Sequence, residues 1–147
     1  MKKRFTLSLA LLAGAWMVGC SSSSSASDST PSYNPEDCTL AEEGIKILLP
    51  AGDEEYKIGD SVTIVFVANY SNAGGFNVLY KANADDKGSE LFTGSVGDVS
   101  PDGTECTEVK ALLKEELTPS TEAFIRVEAY NAAKIRANSN TFTVKAK

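Results

Sequence analysis

Ser61-Val62-Thr63-Ile64-Val65-Phe66-Val67-Ala68-Asn69-Tyr70 is the stretch that decides the fold class. Val62, Thr63, Ile64, Val65, Phe66 and Val67 are all β-branched or aromatic, the types that fit a pleated sheet and lose side-chain freedom in a helix. Their apolar groups fall on both faces near the middle, so residues 61–70 read as a strand.

Outward from it the chain alternates short apolar runs with turn chemistry. Toward the N-terminus, Gly52, Gly59 and Asp60 mark turns, and residues 45–49 form a first strand stopped by Pro50. Toward the C-terminus, residues 72–75 make a turn. Phe76, Val78 and Tyr80 then alternate with Asn77, Leu79 and Lys81, the period-2 pattern of a half-buried strand. Asp85-Asp86-Lys87-Gly88 reads as a hairpin loop leading into a short strand at 91–93. Residues 94–103 read as loop with a weak strand near 96–99. Residues 106–117 mix Val109, Leu112 and Leu113 with helix formers, so helix and strand both fit; a strand to about Leu113 followed by a helical turn is the preferred reading. Residues 123–130 and 140–145 are two more alternating strands. About seven strands and no long helix imply an all-β, Ig-like or fibronectin-III-like sandwich spanning residues 38–147.

Alternation also assigns faces. In an Ig-like sandwich the third, sixth and seventh strands share a sheet, here residues 76–82, 123–130 and 140–145. With Phe76, Val78, Ile125, Val127, Phe142 and Val144 inward, the outer face carries Asn77, Leu79, Lys81, Phe124, Arg126, Glu128, Tyr130, Thr141, Thr143 and Lys145. Leu79, Lys81, Phe124, Arg126, Glu128 and Tyr130 are the candidate partner-binding residues, because an exposed Phe and Tyr beside an Arg is a hot-spot composition. The competing reading is an ordinary solvated face with Phe124 and Tyr130 covered by loops.

The N-terminus reads as an export signal. Lys2, Lys3 and Arg4 form a positive segment, residues 5–18 carry no charge, and Gly19 precedes Cys20. Fourteen residues fall short of the ~20 needed to span a bilayer core. Met17-Val18-Gly19-Cys20 resembles a lipobox, with Met and Val where Leu and then Ala or Ser are more usual. The resemblance implies a signal peptide at 1–19 and a lipid-bearing Cys20 as first mature residue, the membrane anchor. Two or three acyl chains would hold the protein stably where one would not. Ser21, which is not the Asp of an inner-membrane retention signal, favours the outer membrane. An ordinary secretory signal with a chance cysteine is the alternative. Residues 21–37 are rich in Ser, Thr and Pro and cannot bury enough apolar surface to offset ordering entropy. As a flexible coil this linker reaches roughly 20–25 Å.

The chain has three cysteines. With Cys20 taken by lipid, Cys38 and Cys106 remain as an even pair in an oxidising compartment, expected as a disulfide, with two free thiols as the alternative.

Composition excludes several chemistries. There is no histidine, so no His triad, His general base or His-ligated metal site. Trp16 is the only tryptophan and lies in the leader, which removes a Trp platform for sugar stacking. Loss of Lys2, Lys3 and Arg4 reduces 14 basic side chains to 11 against 20 acidic, a formal balance of −9 that argues against nucleic acid. Asp85 and Asp86, or Asp98 and Asp102, could offer oxygens to calcium, but Asp is also what turns prefer. The pairs Glu42-Glu43, Glu54-Glu55 and Glu115-Glu116 have the groups for acid–base work, yet a sandwich of this size offers little cleft.

Ile47, Pro50, Gly52, Tyr56, Gly59, Val62, Thr63 and Ile64 resemble the opening of an Ig-like domain of bacterial surface lipoproteins, similar to the N-terminal domain of Ser/Thr-rich GPI-anchored fungal wall proteins. Ile125-Arg126-Val127, Tyr130, Ser139 and Phe142-Thr143-Val144 resemble its closing strands. The likeness covers residues 45–144 and consists of structural glycines and core positions, so it implies the fold more than a ligand. A Trp expected near the end of the Thr63-Ile64 strand is replaced here by Val65 or Phe66, and no Trp follows the turn at 85–88. The expected role is a membrane-anchored, monomeric envelope module without cofactor or catalysis, binding a protein or polysaccharide or serving in display. A carbohydrate-binding module using Tyr and Phe is the alternative, and a small enzyme comes third.

Overall fold

The computed structural model describes residues 32–147. The expected leader at 1–19, Cys20 and most of the expected linker lie outside them.

Nine strands run in the order β1 (Gly44–Leu49), β2 (Glu55–Lys57), β3 (Ser61–Asn69), β4 (Gly75–Lys81), β5 (Ser89–Ser95), β6 (Asp102–Leu112), β7 (Ser120–Ala129), β8 (Ala132–Asn138) and β9 (Phe142–Lys145). Among the described residues the helical content is one 3-10 turn, Pro35–Asp37. The strands form a three-stranded sheet, β1-β3-β6, and a six-stranded one, β2-β9-β7-β4-β5 with β8 also on β7. The fold is the all-β sandwich expected, with nine strands where about seven were read. The third, sixth and seventh strands of the sequence reading become β4, β7 and β9, and they share a sheet.

Both additional strands have weak sequence signals. β2 has three residues and pairs in parallel with β9. β8, Ala132-Ala133-Lys134-Ile135-Arg136-Ala137-Asn138, holds one large apolar side chain, Ile135, which packs against the core. Residues of this kind adopt the strand because β7 offers a ready edge: Arg126 to Asn138, Val127 to Ala137 and Glu128 to Arg136 are cross-strand partners. The weak strand read at 96–99 is a turn instead. Asp98 accepts from the Ser95 backbone N–H at 3.0 Å and hydroxyl at 2.8 Å, and the Asp98 N–H returns to the Ser95 carbonyl at 2.9 Å. At 106–117 the strand reading holds: β6 ends at Leu112, and the Leu117 N–H closes a turn on the Lys114 carbonyl.

Period 2 builds the core. Val62, Ile64, Phe66 and Ala68 of β3 meet Phe76, Val78 and Tyr80 of β4 and Ile125 and Val127 of β7. Phe66 and Phe76 lie with ring centroids 6.4 Å apart. All six side chains expected inward are no more than 2% exposed. Each such burial is worth about 1.5–3 kcal/mol before entropy is counted.

The outer face of β3 is covered as well, since Val65 and Val67 have no exposure. Val67 lies between Lys46 of β1 and Cys106 of β6 in register. Both neighbours are tied to the N-terminal segment 33–41. Lys46 Nζ is 3.2 Å from an Asp37 carboxylate oxygen, and Cys106 is bonded to Cys38 with the two Cα atoms 5.0 Å apart. The Leu40 N–H donates to the Gly103 carbonyl at 2.9 Å, and Asn69 Nδ2 donates to the Leu40 carbonyl at 2.9 Å. This segment is a strap across the smaller sheet, and the expected disulfide is its central fastening.

Two tyrosines give an internal contrast. Tyr80 Oη donates to the Thr118 carbonyl at 2.6 Å, holding the β6–β7 loop against β4. Tyr56 packs edge-on against Phe142 at 5.5 Å, and its buried Oη has no partner among the described residues. Burial, and then the charges of Asp86 and Glu54 respectively, push both hydroxyls up to about 12. A folded-state value raised above 10 contributes stability that is full below the unfolded value and is lost as pH climbs through about 12. Ultraviolet titration of Tyr56→Phe and Tyr80→Phe should each remove one late phenolate. At neutral pH, thermal unfolding should show Tyr80→Phe costing about 0.5–1.5 kcal/mol and Tyr56→Phe costing little, because only Tyr80 loses a bond.

Candidate ligand-binding face

The outer face of β4, β7 and β8 holds the residues singled out in the sequence. Register sets Lys81 opposite Phe124, Leu79 opposite Arg126 and Asn77 opposite Glu128. On the other side of β7, Asn138 lies opposite Arg126 and Arg136 opposite Glu128. Leu79, Lys81, Phe124, Arg126 and Glu128 are therefore brought together, with Tyr130 at the end of the row.

Their exposures differ sharply. Phe124 is 7% exposed and Lys81 5%, whereas Tyr130 is 42% exposed. The expectation of an exposed Phe on this face does not hold. Lys81 Nζ and Arg126 Cζ each lie 5.9 Å from the Phe124 ring centroid, so the long side chains of two cations lie against the ring. The loop at 82–88 closes from the other end: a Cβ on Gly88 would lie 3.5 Å from both Leu79 Cδ1 and Lys81 Cγ. Asp86 shapes this loop by accepting from the Ala82 N–H at 2.8 Å and the Gly88 N–H at 3.0 Å. Those two bonds, with the nearby Lys81 charge, lower its pKa.

Arg126 has the clearest functional geometry. Its Nε donates to Asn138 Oδ1 at 2.9 Å, which fixes the guanidinium plane, and among the described residues the two terminal nitrogens have no acceptor. Among the described residues no carboxylate lies within ion-pair distance of Lys81, Arg126, Lys134 or Arg136. The same is true of Lys57 and Lys87, whereas Lys46, Lys110, Lys114, Lys145 and Lys147 each have one. Asn138, Lys134 and Arg136 belong to β8 and are missing from the sequence reading. The Ile135 core contact between two cations was the available signal.

Tyr130 sits opposite Gly75, where a Cβ would fall 2.5 Å from the Tyr130 ring and 2.6 Å from the Gly94 carbonyl oxygen. The ring takes the space that a side chain on Gly75 would need, and this orients an otherwise exposed aromatic.

Five of the remaining acidic candidates are engaged locally. Asp98 serves the Ser95 turn, and Asp102 accepts from Thr104 at its N–H and hydroxyl and from the Ser100 hydroxyl. Those bonds hold both carboxyls below the ordinary carboxylate value. Glu54 accepts from the Ala51 and Gly52 N–H groups at 2.7 Å each, Glu55 pairs with Lys145 at 2.6 Å, and Glu115 with Lys147 at 2.8 Å. No group of three or more acidic, Cys or His side chains that could hold a metal occurs among the described residues. Cys20 lies outside them.

No protein-family model matches the chain, and no curated protein matches it.

Proposed function

We propose that this is a non-catalytic envelope lipoprotein, anchored through acyl chains on Cys20, whose Ig-like sandwich binds an envelope protein or polysaccharide through the outer face of β4, β7 and β8. The observation that carries the binding half is Arg126. A guanidinium held at Nε, with both terminal nitrogens free of acceptors among the described residues, suits bidentate capture of a carboxylate or similar acceptor. The anchoring half rests on the leader and the Gly19-Cys20 junction, with Ser21 favouring the outer membrane. The Cys38–Cys106 bridge supports an exported, oxidising location. The strap, residues 33–41, lies over the smaller sheet, and the proposed docking face belongs to the other sheet. The likeness to Ig-like domains of bacterial surface lipoproteins is part of the same proposal. The carbohydrate reading rests on Tyr130, since Phe124 is buried beneath the two cations.

Two measurements test this. Radiolabelled palmitate should enter the wild type and not Cys20→Ala, which should leave the membrane fraction; label retained by the variant would end the anchoring claim. Arrayed envelope glycans and purified envelope proteins should lose capture by Arg126→Ala and Tyr130→Ala at unchanged melting temperature. A ligand retained by both variants would place binding elsewhere.

A further inference from the structure

A second surface with opposite chemistry lies on the other sheet. β6 is the last strand of β1-β3-β6, and among the described residues no strand pairs with its far side. Seven of its residues, Cys106 through Leu112, pair one to one with β3 from Val67 back to Ser61. That regular stretch presents an unpaired row of backbone donors and acceptors along its free edge. Constant-type Ig sheets carry a fourth strand at this position, beyond the third. Here the chain instead sends β5 to the opposite sheet and returns through the loop at 96–101. An open groove of about 500 Å³ is left between that loop and β6, lined by Asp98, Ser100, Glu105, Thr107 and Glu108 among others. No lysine or arginine lines it. Glu105 forms no ion pair among the described residues, Glu108 has only a loose one to Lys110 at 3.9 Å, and Asp98 is held ionised by Ser95. At the far end of the edge the apolar side chain of Leu112 is 51% exposed.

We propose that the β6 edge and its groove receive an extended, lysine- or arginine-bearing segment of a partner protein, which adds as a fourth strand to the smaller sheet. Main-chain hydrogen bonds to the edge would supply the affinity, and the groove carboxylates would select a cationic segment. The excess of 20 acidic over 14 basic side chains steers approach in the same sense. This surface is independent of the β4–β7–β8 face, so either can fail alone.

The test uses the lipidated full-length protein in detergent micelles and an eight-residue peptide alternating lysine with valine and threonine. Titration calorimetry should show saturable binding that weakens with salt. Amide exchange should slow specifically over residues 106–112. Alternate N-methylation of the peptide, which deletes the hydrogen bonds of one edge, should abolish binding, and a glutamate-for-lysine counterpart should not bind. Glu105→Gln combined with Glu108→Gln should weaken the peptide by about five-fold, since exposed charge pairs are individually modest. These are surface changes, and the melting temperature provides the check on folding. No saturable binding, no protection of 106–112, or equal binding of the N-methylated or acidic peptide would each overturn the proposal. So would sedimentation showing that the edge pairs with a second copy of the chain.

Discussion

Breaking the Cys38–Cys106 bridge is expected to cost about 2–5 kcal/mol, and for a folded region of this size that lowers the melting temperature by about 10–30 °C. The bridge joins residues 68 apart in sequence. In the chain-entropy account, closing a loop of that length in the unfolded state is worth roughly 4 kcal/mol. The folded state should contribute too, because the bridge fastens the strap beside Val67, which has no exposure at all. Once the strap is released, Val67 has water on its outer side, and part of its burial is lost. Calorimetry with and without reductant, repeated on a Cys38→Ala, Cys106→Ala double variant, measures the effect. The variant should melt where the reduced wild type does, and reductant should no longer move it. A melting temperature insensitive to reduction would show that the strap is held without its bridge.

The bridge was legible by counting, because the proposed lipid attachment would take one of three cysteines and leave two. What it fastens was not legible. Nothing in residues 33–41 announces a strap, since its contacts with β1, β3 and β6 are set by tertiary register. The strand at 61–70 was readable from residue type alone, because six consecutive β-branched or aromatic side chains have no competing local structure. The inward row of β4, β7 and β9 was readable because a period of two leaves a strand only two ways to face. β8 shows the limit: its Ala-rich sequence has little strand propensity of its own and is recruited by the edge of β7.

The candidate face shows the same division. Its six members could be placed on one side of a sheet by parity, and the structure brings them together. Their exposure could not be placed, because it depends on which residues meet across strands. Opposite a small residue Phe124 would have stood open; opposite Lys81, and beside Arg126, it is covered by two long cationic side chains, of which Lys81 is itself only 5% exposed. The aromatic expected to touch a partner thus becomes a support for Arg126, the cation that does so in the proposed function. Asn138, which orients Arg126, lies in the strand that the sequence concealed.

Gly103→Ala is expected to destabilise the protein by about 2–4 kcal/mol, a large effect for one methyl group. Gly103 has φ of +73°, where an L side chain already costs about 1–2 kcal/mol. A Cβ there would be driven into the Leu40 carbonyl oxygen and would lie 3.0 Å from Asn69 Cβ. Neither neighbour can yield freely. Leu40 is held by its N–H to the Gly103 carbonyl, and its carbonyl accepts from Asn69 Nδ2. The strap must therefore lift at Leu40, two residues beyond the point where Cys38 holds it down. That makes the cost conditional on the bridge. With Cys38 and Cys106 intact, lifting Leu40 strains a segment fixed at its neighbour; with both replaced by Ala, the strap can move away and relieve the clash. Gly103→Ala in the double-Ala background should then cost only the backbone share, about 1–2 kcal/mol. Thermal or urea unfolding of the four proteins in this cycle gives the coupling directly. Equal penalties in both backgrounds would mean that the clash is absorbed within β6, and that Leu40 and Cys38 do not move as one strap.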